Sequence, residues 1–105
     1  MISATVGKSN KGDYLYFRCK GHAEYSEHGR DIVCAAVSIL VINTANAIEA
    51  LTENKIKGSD KGEIILEFPL GLDDKGKLLM DTLVMGLSQI REQYVDFLEL
   101  NFKEV

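Results

Sequence analysis

Residues 31–51 read DIVCAAVSILVINTANAIEAL, and this stretch decides the fold. Its apolar residues recur at helical spacing, and Asp31 is a residue type that favours an N-cap. One apolar stripe consists of Val33, Val37, Leu40, Thr44, Ile48 and Leu51. A second stripe consists of Ile32, Ala35, Ile39 and Ile42. A helix that is apolar nearly all round is buried on most sides, so we expect a core helix whose second stripe makes a dimer contact.

The same helix is a poor candidate for a membrane span. Its charge-free part, residues 32–48, is short for a bilayer and contains four polar residues, Ser38, Asn43, Thr44 and Asn46. We therefore interpret it as a buried helix of a globular domain.

Alternating apolar and polar residues predict strands on both sides of this helix. Residues 2–6 and 14–20 alternate around a polar turn, which predicts a hairpin with Leu15, Phe17 and Cys19 on one face. Further strands are predicted at residues 63–68 and 95–102, with a polar connection at 52–62 and a second helix from about Lys75 to Gln93. The order ββαβαβ predicts an α+β fold. We expect one mostly antiparallel four-stranded sheet with two helices packed on one face.

Composition limits the domain count and the compartment. The chain has 105 residues, 46% of them hydrophobic, which fits a single domain over residues 1–105. A net charge of −4 argues against broad binding to a phosphate backbone. The first eight residues follow a strand pattern and lack the features of a signal peptide, so we expect a cytoplasmic protein without a disulfide between Cys19 and Cys34.

Cys34 is a candidate nucleophile. With Asp31 as the N-cap it is the third helical residue, where unpaired N–H groups and the positive end of the helix dipole lower the pKa of a thiol. The same N–H groups can stabilise the oxyanion of a tetrahedral intermediate. His22 ends the preceding strand, and the loop that follows can fold it over the helix start. The residues alone leave open the ordinary alternative, in which Cys34 only packs the helix.

Two short motifs resemble those of a known family. Gly21-His22-Ala23 is followed after ten residues by Cys34-Ala35-Ala36-Val37-Ser38, and Asp31-Ile32-Val33 precedes the cysteine. The ribosomal-processing cysteine protease family, Prp, has a GHA motif, a short variable loop and a D-[IV]-V-C-A-[AG]-x-S motif that opens a helix. The chain resembles this family in both motifs without departure, and the order of strands and helices fits over almost its full length.

The resemblance implies a function. Members of the family are homodimeric, cytoplasmic endopeptidases that remove a short N-terminal extension, cut after aromatic residues, from a large-subunit ribosomal protein during ribosome assembly. For this chain it implies His22 and Cys34 as the catalytic pair, with His22 protonating the leaving amine. It implies no metal and no organic cofactor. The expected partners are the ribosomal protein N-terminal peptide and a second copy of the chain, with no direct nucleic acid and no membrane.

The motif match implies supporting roles in the site for three further residues. Each of these residues also has an ordinary structural role as the alternative. Asp31 either orients His22 or caps the helix. Ser38 lies one turn after Cys34 and serves either the site or the carbonyl four residues back. Gly21 either lets a substrate backbone approach or only ends the strand.

The segment between the two motifs is expected to act as a flap. Residues 24–30 are polar and connect the catalytic pair, which favours a loop that closes on substrate. Tyr25, within this segment, and Ala23, directly before it, are predicted to contact the substrate. The alternative is a plain surface loop.

His28 and Cys19 are assigned ordinary roles. The spacing of His22, His28 and Cys34 matches no standard zinc motif, so no metal site is predicted. Cys19 is predicted to lie in the core. Two other functions compete with the protease: a non-catalytic ribosome-associated binding protein, and a metal-bound or redox-sensing dimer.

Overall fold

The computed structural model describes residues 1–21, 30–59 and 63–105. In chain order the elements are β1 (Ile2–Lys8), β2 (Tyr14–Lys20), α1 (Arg30–Leu51), β3 (Lys57–Ser59), β4 (Glu63–Glu67), α2 (Asp74–Gln93) and β5 (Leu98–Glu104). The strands form one sheet in the order β3-β4-β2-β1-β5. This arrangement confirms the predicted α+β class.

The sheet differs from the prediction in strand number and in direction. It has five strands, because the residues Lys57–Ser59 of the predicted polar connection pair with β4 as a short edge strand. A three-residue Lys-Gly-Ser strand carries no apolar alternation, so the sequence pattern could not reveal it. The sheet is also mixed, since β5 pairs parallel with β1. Helix α2 crosses the sheet between β4 and β5, and such a crossover returns the chain in the same direction.

The core lies on one face of the sheet, and both helices cover that face as predicted. The buried side chains of the sheet are Ile2, Ala4, Val6, Tyr14, Phe17, Cys19, Ile64, Leu66, Leu98 and Leu100. Those of the helices are Val33, Val37, Val41, Thr44, Ile48, Met80, Leu83 and Leu87. The opposite face carries polar side chains, among them Ser3, Thr5, Arg18, Asn101 and Lys103.

One predicted core residue is wrong because the hairpin contains an irregularity. Gly7 pairs with Tyr16 but Lys8 pairs with Tyr14, so the register shifts by one residue at Leu15. A shift by one residue reverses which side chains point inward. Tyr14 is therefore buried, and Leu15, which we expected beside Phe17, is only half-buried.

Within the single chain, helix α1 is buried on one side, and the predicted dimer contact of its second stripe stays a prediction. Its second stripe faces away from the sheet, with Ile32 56%, Ile39 68% and Ile42 49% exposed. By length and composition alone residues 32–51 have the hydropathy of a membrane span, a test that core helices of globular proteins also pass. The inward stripe from Val33 to Ile48 packs on the sheet, as in such a core helix.

Helix α2 begins at Asp74, one residue before its predicted start at Lys75. A network of hydrogen bonds caps this end of the helix. Asp73 is the N-cap, and its carboxylate accepts a hydrogen bond of 2.9 Å from the Gly76 N–H. Asn54 donates from its Nδ2 to Asp73 Oδ1 at 2.7 Å and accepts from the Asp73 N–H at 3.0 Å. These donors hold the pKa of Asp73 below its ordinary value, Asn54 having the largest effect. The cap joins the end of the α1–β3 connection to α2.

A buried tyrosine ties the hairpin to α2. The Tyr14 hydroxyl donates a hydrogen bond to Asp81 Oδ1, and Lys8 Nζ lies 4.4 Å from the centre of the Tyr14 ring. Next to it, Lys77 Nζ lies 2.9 Å from Asp13 Oδ1. Burial, followed by the bond to Asp81, raises the pKa of Tyr14 well above its ordinary value. The contact fixes α2 against the start of β2.

We expect Tyr14→Phe to lower the free energy of unfolding by about 1 kcal/mol at neutral pH, because it removes a hydrogen bond to a carboxylate. The raised pKa contributes stability in full below about pH 10, where an unfolded tyrosine titrates, and the contribution is lost as pH rises through the folded-state pKa. In urea titrations, the difference in the free energy of unfolding between wild type and Tyr14→Phe should therefore shrink above about pH 10. Tyr16→Phe on the same strand is the control. Equal stability of wild type and Tyr14→Phe at neutral pH would contradict the assignment.

Candidate active site

Cys34 lies near the amino end of α1, but not where the sequence placed it. The helix begins at Arg30, so Cys34 is its fifth residue and Asp31 its second. Cys34 thus lies further into the helix than the predicted third position, and the role of Asp31 stays a prediction. The N–H groups of the first helical turn belong to residues that precede Cys34.

The Cys34 side chain lies at the border between core and solvent. It is half-buried and packs against the hydrophobic core cluster. A nucleophile needs this position, because its sulfur must meet a substrate while the backbone that carries it stays fixed by packing. Val33 and Val37 are both buried and fix the helix on either side of it.

Cys19 is a different kind of thiol. It is fully buried on β2, which confirms the prediction of a core residue. Burial raises the pKa of Cys19 to about 11, and the neighbouring Cys34 adds to the shift. Cys19 thus stays protonated near neutral pH and cannot act as a nucleophile.

Gly21 makes a sharp backbone turn immediately before His22. Its φ is +95°, a conformation that L side chains rarely adopt, and a Cβ there would lie 2.6 Å from the Met1 carbonyl oxygen. Of its two proposed roles, the geometry supports the strand end. The glycine lets the chain turn closely past the start of β1.

The remaining predicted site residues are only partly described. Ser38 is half-buried, one helical turn after Cys34. Residues His22, Ala23, Tyr25 and His28 and the predicted flap up to residue 29 lie outside the described residues. Arg30, counted as the end of the flap, is instead the first residue of α1.

The described ranges hold no cluster of three or more His, Cys, Asp or Glu side chains arranged to bind a metal ion. Both histidines lie between those ranges, so this finding concerns residues 1–21, 30–59 and 63–105 alone.

Two grooves follow the flanks of α1. The α1–α2 groove reaches Ala35, the residue next to Cys34, and its other lining residues are Ala36, Ile39, Leu40, Gly86, Gln89, Ile90, Gln93 and Tyr94. The α1–β3 groove has a volume of about 300 Å³ and is lined by Val41, Ile42, Ala45, Ile56, Gly58 and Leu66. The α1–β3 groove was not predicted, although the spacing of its helical residues is visible in the sequence. Ile42 and Ala45 follow Cys34 by eight and eleven residues, which places them on its flank of the helix.

The family model of cysteine protease Prp matches residues 1–99. This chain belongs to the cysteine protease Prp family. A curated relative, the ribosomal processing cysteine protease Prp of Bacillus subtilis, is 36% identical over 107 residues, covering 95% of this chain and 96% of the relative. The predicted resemblance is thereby confirmed.

Two crystal structures of a Prp protease from Staphylococcus aureus share the fold. The complex with a substrate peptide has a TM-score of 0.92 and 28% identity, covering 98% of this chain and 100% of that one. The complex with a covalently linked product peptide has a TM-score of 0.88 at the same identity and coverage. The mixed five-stranded sheet with two helices is thus the architecture of Prp proteases.

We expect iodoacetamide at about pH 8 to label the native Prp chain once, at Cys34, because only this thiol reaches solvent while Cys19 stays buried and protonated. Adding urea should allow a second label at Cys19. Intact mass and peptide mapping distinguish the two sites. A rate at Cys34 above that of free cysteine supports a catalytic thiolate, and a rate well below it fits a packing role. Equal labelling of both cysteines in the native chain would contradict the placement.

Proposed function

We propose that this Prp-family protein is a cysteine endopeptidase that removes the N-terminal extension of a large-subunit ribosomal protein and so supports ribosome assembly. The observation that carries the proposal is the half-buried Cys34 at the amino end of α1, within a matched family motif. The naming of relatives as ribosomal processing proteases supports the substrate class.

The chemistry runs through Cys34 and His22. The Cys34 thiolate attacks the scissile carbonyl carbon, and first-turn N–H groups of α1 stabilise the oxyanion. His22, as the imidazolium, gives its proton to the leaving amine, and a thioester between Cys34 and the N-terminal fragment remains. Water, deprotonated by neutral His22, then hydrolyses the thioester and regenerates the thiol. The covalently linked product peptide in the Staphylococcus aureus relative supports an intermediate of this kind.

Asp31 is proposed to orient His22. The alternative role of Asp31 is to cap the start of the helix. Asp31 lies three residues before Cys34, on the same side of the helix. Ser38, one turn after Cys34 on that side, is proposed to hydrogen-bond within the site or to the substrate backbone.

The proposed partners follow from the substrate. Ala23 and Tyr25 contact the peptide beside His22, and no organic cofactor or metal takes part in the chemistry. A ribosomal protein substrate places the enzyme in the cytoplasm, where Cys19 and Cys34 stay reduced. The protein acts on the peptide without binding nucleic acid or membrane.

A homodimer is proposed through the outer stripe of α1. Ile32, Ile39 and Ile42 are about half exposed or more, and they line one side of a single helix. A contiguous apolar patch of this kind on a small chain favours association. A symmetric contact between two copies of α1 would cover it.

The decisive variant for the enzyme is Cys34→Ala. We expect it to lower cleavage of a peptide spanning the cognate N-terminal extension by more than about a thousandfold, because it removes the nucleophile. Cys19→Ala is the matched control and should cleave at close to the wild-type rate. Circular dichroism verifies that both variants fold, and mass spectrometry counts the cuts. A Cys34→Ala protein that cleaves like wild type would overturn the proposal.

For the dimer, we expect light scattering at micromolar concentration to give twice the monomer mass for wild type and the monomer mass for Ile39→Glu. The substitution puts a charge in the centre of the exposed stripe without touching the core. Leu78→Glu, at a similarly exposed leucine of α2, is the control and should remain dimeric. A monomeric wild type would refute the dimer.

A further inference from the structure

The face of the sheet that the helices leave uncovered holds a polar cavity of about 230 Å³. Side chains from β1, β2 and β5 line it, together with Glu63 of β4, and every one of them ends in a group that can form hydrogen bonds. The helices pack on the opposite face, and Cys34 packs there against the core. The cavity is therefore separate from the proposed active site, and the proposed chemistry does not use it.

Strand pairing gives this cavity a floor of short polar side chains between two walls of longer ones. Ser3 and Thr5 of β1 form the floor, and β1 lies between β2 and β5. Thr5 pairs with Arg18 on β2 and with Asn101 on β5, and Ser3 pairs with Lys20 on β2. Since neighbouring strands are about 4.8 Å apart, the two walls are about 10 Å apart at their backbones.

Tyr16 forms the wall of the cavity at one end. It pairs with Gly7 on β1, and a Cβ at Gly7 would overlap the Tyr16 ring. The ring therefore lies across Gly7, which has no side chain to displace it. On the other side of Gly7, its partner on β5 is Lys103. The tyrosine and this lysine thus belong to the same row across the sheet.

The lining of the cavity is positively charged, although the whole chain has a net charge of −4. Three basic side chains, Arg18, Lys20 and Lys103, stand against the one carboxylate of Glu63, so the lining carries a net charge of +2 at neutral pH. Arg18 Nη2 lies 3.1 Å from that carboxylate. Among the ion pairs of residues 1–21, 30–59 and 63–105, none involves either lysine. Glu99, which pairs with Ser3 on this face, does not line the cavity.

A phosphate monoester matches this lining in charge, in hydrogen bonding and in size. It carries a charge of about −1.5 to −2 at neutral pH and three strong acceptor oxygens, whereas a carboxylate carries −1. The hydroxyls of Ser3 and Thr5 and the amide of Asn101 can donate to those oxygens. Pockets for drug-sized ligands begin at about 300 Å³, so a cavity of about 230 Å³ suits a smaller molecule. A long phosphate backbone is disfavoured by the net negative charge of the chain.

We propose that this cavity on the uncovered face of the sheet binds a small phosphate monoester. The phosphate group lies over Thr5 and Asn101, between Arg18 on one wall and Lys103 on the other. The hydroxyl of Ser3 and the ammonium group of Lys20 face the rest of the ester. This site goes beyond the proposed protease function and does not depend on it, because Cys34 lies on the other side of the sheet.

Three variants separate a specific site from general attraction by charge. Lys103→Gln removes one basic wall of the cavity, and Thr5→Val removes a floor hydroxyl while it leaves the charge unchanged. Lys57→Gln is the matched control. Lys57 pairs with Glu67, which in turn pairs with Tyr16, so this lysine lies on the same face of the sheet but outside the cavity.

The experiment titrates the ¹⁵N-labelled full chain with glycerol 3-phosphate near neutral pH, at an ionic strength held constant with sodium chloride. We expect saturating shifts of the amide signals around Thr5 and Asn101, with a Kd below about 1 mM. Inorganic phosphate should shift the same signals, because the phosphate group makes the main contacts. Lys103→Gln should raise the Kd by about tenfold, as for the loss of one charge-assisted hydrogen bond. Thr5→Val should raise it by about threefold or more, and Lys57→Gln should bind like wild type.

Several outcomes would overturn this site. Shifts that never saturate, or an equal loss of binding in Lys103→Gln and Lys57→Gln, would show that only general charge attracts the anion. Binding of inorganic phosphate without the ester would exclude a monoester as the ligand. A short single-stranded RNA is the last probe, and tighter binding of it than of glycerol 3-phosphate, weakened by Lys103→Gln, would assign the face to nucleic acid instead. Circular dichroism verifies the fold of each variant, and Thr5→Val carries the test if Lys103→Gln does not fold.

Discussion

The packing of one side of α1 on the sheet is the contact on which the rest of the molecule depends. Four side chains spaced over four turns fix the helix on the sheet, and each is at most 1% exposed: Val33, Val37, Val41 and Ile48. Since these positions set the rotation of the helix about its axis, they also decide what every other side of it faces. Cys34 is turned to the flank, and Ile39 to the outside. A rotation of α1 would move the thiol into the core or away from the substrate.

Each side of α1 therefore has a separate task in this account. The inner side makes the core, Cys34 lies at the border between core and solvent, and Leu40 contacts α2. The outer side, with Ile32, Ile39 and Ile42, is exposed, and it is the surface through which the dimer is proposed. Cys19 shows why the flank matters. Full burial raises the pKa of Cys19 to about 11 and keeps this thiol protonated near neutral pH. The difference between the two thiols is their position relative to the core surface.

The sequence predicted what short-range patterns determine. The helix around Cys34, the burial of Cys19 and the two motifs of the family all follow from spacing along the chain. It failed where pairing between distant strands decides the outcome. Leu15 and Tyr14 exchange faces because of a register shift opposite Gly7, and β3 exists because β4 offers it a partner. The helix start moved from Asp31 to Arg30, since helix ends depend on contacts that propensity does not encode. The α1–β3 groove is formed partly by β3, which the sequence pattern did not predict. Only the residues of α1 that line it could be inferred from the sequence.

The central claim is that Cys34 forms a covalent bond with the substrate, and acid quenching followed by intact mass spectrometry tests it most directly. The protein is mixed with an excess of the substrate peptide, stopped with acid within the first turnover, and digested to locate any adduct. The account predicts an added mass equal to the N-terminal fragment less one water, located on the peptide that contains Cys34 and removed by hydroxylamine, which cleaves thioesters. Cleavage that proceeds without any adduct, or an adduct located on Cys19, would contradict the account.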